Sequence, residues 1–153
     1  MKLTEDGPYL GMAAFCQAAV EDEYGRLTLR HFMNGQMVWP KEGIEPSESM
    51  PKATIPLCLV IQLFRGKAKG APILEVIHVP PEGEKYILTK FQPVFQGGPE
   101  QGLQTSPTFR VEFHVPGMHW FELRLDGDLL TKIPFLMEYR KTRPKVPPSI
   151  FRR

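Results

Sequence analysis

The sequence predicts an all-β domain, an antiparallel two-sheet β-sandwich of about eight strands, followed by an irregular C-terminal tail. Sixteen prolines and 13 glycines are spread along the 153 residues and interrupt every stretch long enough for a helix. In several of the short segments between them apolar and polar residues alternate, which is the period of a half-buried strand. Eight such strands need a second layer to cover their apolar sides, so a sandwich is favoured over a closed barrel.

The length fits a single domain, which we assign to residues 1–139, with residues 140–153 as a basic, proline-rich tail. Hydrophobic residues make up 42% of the chain and charged residues 24%, which is typical of a globular protein and excludes a disordered one.

The first two predicted strands form a hairpin. Residues 12–20 are apolar, and in residues 26–32 leucines alternate with arginine and threonine. The polar segment between them, from Asp22 to Gly25, has the length and the glycine of a hairpin connection.

The middle of the chain contains three further predicted strands between two loops. Residues 40–53 include three prolines and no periodic apolar side, which indicates a loop. Residues 54–66 are the most apolar segment, and their β-branched residues and early proline favour a central strand over a helix. Strands over 71–80 and 85–95 follow, and residues 96–107 are predicted to be the second loop.

The last three predicted strands, over 108–115, 119–125 and 129–139, have the clearest alternation. The predicted inward side chains are Phe109, Val111, Phe113, Val115, Phe121, Leu123 and Leu125. The predicted outward side chains are Arg110, Glu112, His114, Trp120, Glu122 and Arg124.

The segment "LDGD" joins the last two strands and predicts a tight hairpin. Asp126 and Gly127 occupy the two central positions, where a type I′ turn requires positive φ. A calcium loop is disfavoured here, because the twelfth position counted from Asp126 is Met137 and not a bidentate glutamate.

Neither the histidines nor the carboxylates predict a reaction centre. His114 and His119 could meet across a hairpin, but they make half a metal site, and His31 and His78 lie far away in sequence. Solvent-facing strand histidines are the preferred interpretation. Glu112 and Glu122 could be cross-strand neighbours on an outer face, each pairing with the arginine two residues away.

No nucleophile or phosphate motif is evident, since every serine lies in a proline-rich loop and "FRGKAKG" lacks the Gly-Lys-Ser/Thr arrangement. We therefore predict no catalytic residue, no metal and no cofactor, and a protein that is not an enzyme. Cys16 and Cys58 lie in apolar runs and are predicted to be buried free thiols, with a disulfide between them as the less favoured alternative. Glu5 and Asp6 argue against a secretory leader, and no apolar run is long enough for a membrane span, so a cytoplasmic location is predicted.

The tail is the unusual part of the sequence. Its 14 residues contain six Lys or Arg and no acid, so removing them from a chain of net charge +2 leaves residues 1–139 at −4. Three interpretations compete: a solubilising tail, a docking arm for a protein partner or a second copy, and a nucleic-acid or anionic-membrane contact. The acidic body disfavours nucleic acid. The predicted partner-binding residues are Trp120, Arg140, Lys141, Arg143, Lys145, Ile150, Phe151, Arg152 and Arg153.

Three segments, "AAFCQAAVEDEYGRLTLRHF", "IPLCLVIQLF" and "FHVPGMHWFELRLDGDLLTKIPFLM", form a recognisable pattern. In the last of them it is carried by Gly117, Trp120, Phe121, Leu123, Leu125, Asp126 and Gly127. Over roughly residues 10–139 this pattern resembles a family of small bacterial proteins known as a domain of unknown function. The resemblance implies an immunoglobulin-like or jelly-roll-like β-sandwich in a cytoplasmic bacterial protein, and it carries no catalytic residues across.

The predicted function is a non-enzymatic protein-interaction or assembly module that presents its loops, Trp120 and the tail to a protein partner. The alternative is a small-ligand binder or an enzyme whose site is built from the loops 40–53 and 96–107.

Overall fold

The computed structural model describes residues 7–66, 70–94 and 102–142, and within them the chain is all-β with no helix. The strands are β1 (Tyr9–Glu21), β2 (Leu27–Met33), β3 (Gly35–Val38), β4 (Ala53–Phe64), β5 (Leu74–Val79), β6 (Tyr86–Phe91), β7 (Gly102–Thr105), β8 (Thr108–Phe113), β9 (Gly117–Leu125) and β10 (Asp128–Tyr139). In the described ranges no helix is long and apolar enough to cross a membrane.

The strands form two five-stranded sheets, one of them strongly curled. The first sheet has the order β2-β1-β4-β7, and β8 pairs with β4 as well. The second has the order β3-β10-β9-β5-β6. The pairings are antiparallel except that of β3 with β10, which is parallel. Each of the eight predicted segments contains a strand, but the predicted number of strands and the purely antiparallel pairing were wrong, because β3 and β7 were not foreseen.

Strand β7 corrects the prediction of a loop over 96–107, of which residues 96–101 lie outside the described part. Residues 102–105 pair with β4, where Leu103 lies opposite Leu63. A strand of four residues is too short to show an alternation of its own, and its formation depends on the open edge of β4. The loop predicted over 40–53 is confirmed up to its last residue, where β4 begins.

Two prolines lie inside long strands where their missing N–H groups are tolerated. Pro56 of β4 pairs with β8, but it lies beyond Cys58, the last residue that β4 pairs with β1. Pro134 of β10 pairs with β9 before β3 joins β10 at Leu136. Each proline therefore lies where one side of its strand has no neighbouring strand, as a residue without a backbone donor requires.

The main core lies between the two sheets. Phe15 of the first sheet contacts Phe121 and Phe135 of the second, with ring centroids 4.8 and 5.8 Å apart. The predicted inward row is confirmed for its fully buried members, which are Val111, Phe113, Phe121, Leu123 and Leu125. Phe109 and Val115 are only partly buried.

A second, smaller cluster contains the two cysteines. Cys16 of β1 lies directly opposite Cys58 of β4, and both are buried, 0% and 3% exposed, and free. The prediction of two buried thiols is confirmed. Burial, together with the neighbouring Cys58 thiol, raises the pKa of Cys16 to about 11, so this thiol stays protonated at neutral pH.

The two predicted hairpins are confirmed. Asp126 and Gly127 have φ values of 48° and 84°, the positive values that a type I′ turn requires, and the Asp126 carboxylate accepts a hydrogen bond from the Ile73 N–H at 2.8 Å. In the first hairpin the Asp22 carboxylate accepts hydrogen bonds from the N–H groups of Tyr24 and Arg26, and the bond from Arg26 keeps the pKa of Asp22 below its ordinary value.

Candidate functional site

The outer face of the second sheet carries Trp120, the predicted contact residue, which is 40% exposed. Across the sheet Trp120 lies opposite Pro134 of β10 on one side and Val79 of β5 on the other. Two pairs further along, and so on the same face, Met118 lies opposite Leu136, and both are exposed. We call these five residues together with Ile77 and Ile87, which lie opposite each other on β5 and β6, the apolar face.

Charged residues border the apolar face. Glu122 of β9, predicted to face solvent, is only 8% exposed, which corrects that prediction. It accepts a hydrogen bond from Arg124 at 3.0 Å and lies 4.0 Å from the Lys132 ammonium. The stems of these long side chains and the buried Ile77 opposite Glu122 cover its carboxylate, although it lies on the outer side of the sheet.

A groove of about 370 Å³ continues the apolar face toward the β3 edge. Gly35 and Met37 of β3 form one wall, and Met118 and Leu136 belong to the other. The groove lies beside the end of β10, close to the point where the tail leaves the domain.

The first residues of the tail are held by ion pairs. Lys141 donates to Glu48 at 2.8 Å, which lowers the pKa of Glu48, and Arg140 donates to Glu138 at 3.3 Å. The Tyr139 hydroxyl donates to the Ser47 carbonyl at 2.7 Å. The other predicted tail residues, Arg143, Lys145, Ile150, Phe151, Arg152 and Arg153, lie outside the described residues.

A chain of buried histidines closes one end of the space between the sheets. His78 of β5 and His119 of β9 are 2% and 1% exposed. The Nε2 atom of His78 lies 2.8 Å from Nδ1 of His119. The Nδ1 atom of His78 lies 2.8 Å from the hydroxyl of Tyr86. The Nε2 atom of His119 lies 2.8 Å from the carbonyl oxygen of Val115.

The hydrogen-bond partners determine the tautomers of both rings. The Val115 carbonyl can only accept, so His119 carries its proton on Nε2 and its Nδ1 is an acceptor. His78 must then donate from Nε2, and its own Nδ1 accepts the proton of the Tyr86 hydroxyl. All three hydrogen bonds are therefore formed with both imidazoles neutral: Tyr86 donates to His78, His78 donates to His119, and His119 donates to the Val115 carbonyl.

Aromatic packing holds this chain in place. The His78 ring stacks on Phe121, with centroids 4.7 Å apart and 6° between the planes, and Phe113 meets both imidazoles edge-on. Burial, with the neighbouring His119 and His114, lowers the pKa of His78 to about 4. Burial also lowers the pKa of His119, partly opposed by its hydrogen bond to Val115. Both rings are therefore neutral at pH 7.

A cavity of about 200 Å³ lies next to the histidine chain. Besides both histidines and Tyr86, its walls include the side chains of Glu82, Glu84, Glu112 and His114. His114 is exposed and lies 3.7 Å from Glu112, which also pairs with Lys52 at 3.5 Å. Burial and the charge of Glu112 raise the pKa of Tyr86, so its hydroxyl is a proton donor and not a nucleophile.

One sequence-based expectation about these residues was wrong. His119 is buried, not solvent-facing, and its partner is His78, which is 41 positions away. A signal did exist: His119 lies two residues before Phe121 and His78 two residues after Val76, and both of these neighbours are buried. His114 is exposed, as predicted.

Glu112 and Glu122, which could have been cross-strand neighbours, do not lie side by side. Glu112 lies on β8 in the first sheet and Glu122 on β9 in the second, so they are not cross-strand neighbours. Glu112 contacts Lys52 and His114, whereas Glu122 does pair with Arg124, as predicted.

The histidine chain offers no free ligand atom for a metal, because each of its four ring nitrogens lies in a hydrogen bond. Within residues 7–66, 70–94 and 102–142 no group of three His, Cys, Asp or Glu could hold a metal ion. What the chain can do chemically is to take up and pass on a proton.

Neither a protein-family model nor a curated protein matches the chain.

Proposed function

We propose that this protein is a non-enzymatic protein-interaction or assembly module that binds its partner through the apolar face around Trp120. The observation that carries the proposal is the continuity of this face over β10, β9, β5 and β6, where Met118, Trp120, Leu136 and Ile87 are all exposed. A contiguous apolar patch on a soluble domain is typical of an interaction surface.

The composition of the apolar face supports this proposal. A partly exposed tryptophan at the centre of a patch is the residue type that most often dominates the binding energy of an interface. Lys132, Arg124 and Glu138 lie around the apolar residues, in the arrangement of a polar rim around an interface core.

The tail is a second contact in the proposed interface. Its described beginning, Arg140 and Lys141, follows directly on β10, whose residues Pro134 and Leu136 belong to the apolar face. A partner that covers Trp120 and Leu136 would therefore approach the start of the tail, after which the sequence has four more Lys or Arg.

The test compares substitutions on the two outer faces. Trp120→Thr removes the aromatic side chain but keeps a residue suited to a strand, and Phe32→Thr does the same at an exposed position of β2 in the first sheet. We expect full-length protein and Phe32→Thr to show the same self-association by light scattering and to capture the same protein from cell extract. Trp120→Thr should weaken that association at least tenfold.

A chain ending at Thr142 tests the tail, because it keeps both ion pairs of Arg140 and Lys141. We expect it to bind more weakly than the full chain and with less sensitivity to salt. Equal association by the full chain and by Trp120→Thr would contradict the proposed interface.

A second candidate function, a small-ligand binder or an enzyme, is favoured by the cavity beside the histidine chain. The sequence suggested a site built from the loops 40–53 and 96–107, whereas this cavity is lined by residues between 78 and 86 and between 112 and 119. Its volume of about 200 Å³ is below the usual range for drug-sized ligands, which leaves room for a small polar molecule.

For the fold and its origin we propose the finer assignments that the resemblance implies: a β-sandwich of immunoglobulin-like or jelly-roll-like kind in a cytoplasmic bacterial protein. The facing sheets and the core between them support a sandwich. The curled sheet and the parallel β3–β10 pair are departures from the simplest sandwich.

A further inference from the structure

The histidine chain joins parts of the second sheet to the end of the core. His78 is on β5, its partner Tyr86 is the first residue of the edge strand β6, and His119 is on β9. Among the described residues β6 lies at the edge of the sheet and pairs with β5 alone, and the Tyr86–His78 hydrogen bond adds a side-chain link to the strand pairing of these two residues. Loss of the chain would affect β6 before any other strand of this sheet.

The chain can accept one proton without losing a link. A proton from solvent binds Nδ1 of His78, and the Tyr86 hydroxyl turns its own hydrogen toward the cavity and accepts from the new N–H. Tyr86 is exposed, which gives the proton a route from solvent. The link to His119 is unchanged, because His78 still donates from Nε2.

A second proton cannot be accommodated. It would have to bind Nδ1 of His119, where an N–H of His78 already points at a distance of 2.8 Å. Two donors and two positive charges would then face each other in a buried space, and the rings have to separate. The other nitrogen of His119 is occupied by the Val115 carbonyl, which can only accept.

The charged surroundings do not remove this conflict. The groups around the pair are Tyr86 from β6, Glu112 and His114 from β8 and the segment after it, and Glu82 and Glu84 from the β5–β6 connection. The glutamates favour a positive charge on the rings, but His114 opposes it, and burial against Phe113 and Phe121 opposes it as well. Burial is the largest influence on both rings.

From this geometry we infer that the Tyr86–His78–His119 chain is a proton-operated latch, which keeps β6 and the β5–β6 connection closed over the core while both imidazoles are neutral and releases them when two protons are taken up. Release exposes Phe113 and Phe121, against which the imidazoles pack. The latch does not depend on the proposed function of the apolar face.

The first measurement is NMR of the imidazole nitrogens in the full-length wild-type protein. We expect both His78 and His119 to be neutral at pH 7.5 with the proton on Nε2, and to remain neutral at pH 6, below the ordinary pKa of an imidazole. A different tautomer for either ring, or ordinary titration of both rings near pH 6.5, would overturn the inference.

The second measurement is amide hydrogen exchange between pH 7.5 and 4.5, corrected for the intrinsic effect of pH on exchange. Because two protons are bound on opening, the opening equilibrium of β6 should rise up to about 100-fold for each pH unit in the acid range. The paired residues of β1 and β4, which take no part in the histidine chain, should stay protected at the same pH. Protection lost equally in both sheets, or not at all, would refute the latch.

Two variants complete the test. His119→Gln removes one titrating group but keeps a side chain that can hydrogen-bond. In this variant the opening equilibrium of β6 should rise only about tenfold for each pH unit in the acid range. His31→Asn is the matched control, since His31 is exposed, outside the chain, and has a φ of 52° that asparagine tolerates. It should behave as wild type. If the opening equilibrium of β6 in a folded His119→Gln protein depended on pH as steeply as in wild type, the mechanism would be contradicted. If that variant does not fold, the measurements on the wild-type protein decide.

Discussion

At the scale of single residues, Glu122 shows how much a position can differ from its pattern. Glu122 lies on the outer side of β9, as Trp120 does two residues earlier, yet Trp120 is 40% exposed and Glu122 only 8%. The difference comes from neighbours on β10 and β5 and from Arg124, which together cover the carboxylate while satisfying it.

We predict that Glu122→Ala lowers the free energy of unfolding by about 1–2 kcal/mol, because Arg124 loses its hydrogen-bond acceptor and Lys132 its ion-pair partner. Both cations keep some access to water, so the cost stays below that of a fully buried charge. Urea denaturation measures the change. Glu112→Ala, at an exposed carboxylate with similar partners, should stay within about 0.5 kcal/mol. Equal effects of the two substitutions would contradict the role of burial.

The residue-level predictions succeeded where the side of a strand decides the environment, as for Phe121, Val111 and the turn residue Gly127. They failed for Glu122 and His119, for different physical reasons. Whether an outward side chain is covered depends on neighbouring strands. Whether an inward polar side chain finds a partner depends on a residue such as His78, which is distant in sequence.

At the scale of elements, the short strand β3 depends on one glycine. Gly35 lies opposite Leu136 of β10 in the parallel pair, and a Cβ at this position would overlap the carbonyl oxygen of Leu136. The close approach of the two backbones explains why glycine begins this strand.

We predict that Gly35→Ala lowers the free energy of unfolding by about 2 kcal/mol and releases β3 from β10, because the backbones must move apart. Urea denaturation measures the loss of stability, and hydrogen exchange in residues 35–38 and 136–139 locates it. Gln36→Ala, at the next and exposed position, should change stability by less than about 0.5 kcal/mol. Unchanged exchange in Gly35→Ala would show that the strand tolerates a side chain there.

Element predictions were most accurate for long alternating segments such as β9 and β10 and failed for β3 and β7, which have four residues each. Such short strands form only because a neighbouring strand has an open edge. That information belongs to the sheet and is absent from the segment itself.

At the scale of the whole molecule, the two neutral histidines make stability depend on pH. The pKa of His78 is about 4 in the folded protein and about 6.5 when the chain is unfolded, so the unfolded chain binds more protons between these values. The contribution of the neutral ring is complete above pH 6.5 and is lost as the pH falls toward 4. The lowered pKa of His119 acts in the same direction.

We predict that the free energy of unfolding falls by roughly 3 kcal/mol between pH 7.5 and 4 on account of His78, from 1.36 kcal/mol for each pKa unit. Guanidinium denaturation at several pH values measures this change. His31→Asn should show the same fall, and a folded His119→Gln protein a smaller one. A flat profile between pH 7.5 and 4.5 would contradict the neutral state of the pair.

The all-β class and the internal core could be predicted because alternation and turn residues are local properties. The sheet order could not. β8 and β9 are consecutive and could have formed a hairpin, but β8 pairs with β4 and β9 belongs to the other sheet. Such a crossing between layers is decided by long-range packing, for example of Phe113 against Phe135, and it is also what separates Glu112 from Glu122.

The facing cysteines of β1 and β4 provide an intrinsic chemical reporter. Cys16 and Cys58 are covered by neighbouring strands, and a maleimide attacks only a thiol that has become accessible and ionised. Alkylation of the native chain therefore proceeds only during excursions that uncover these thiols. Its rate, followed by mass spectrometry without any introduced dye or substitution, gives the frequency of those excursions.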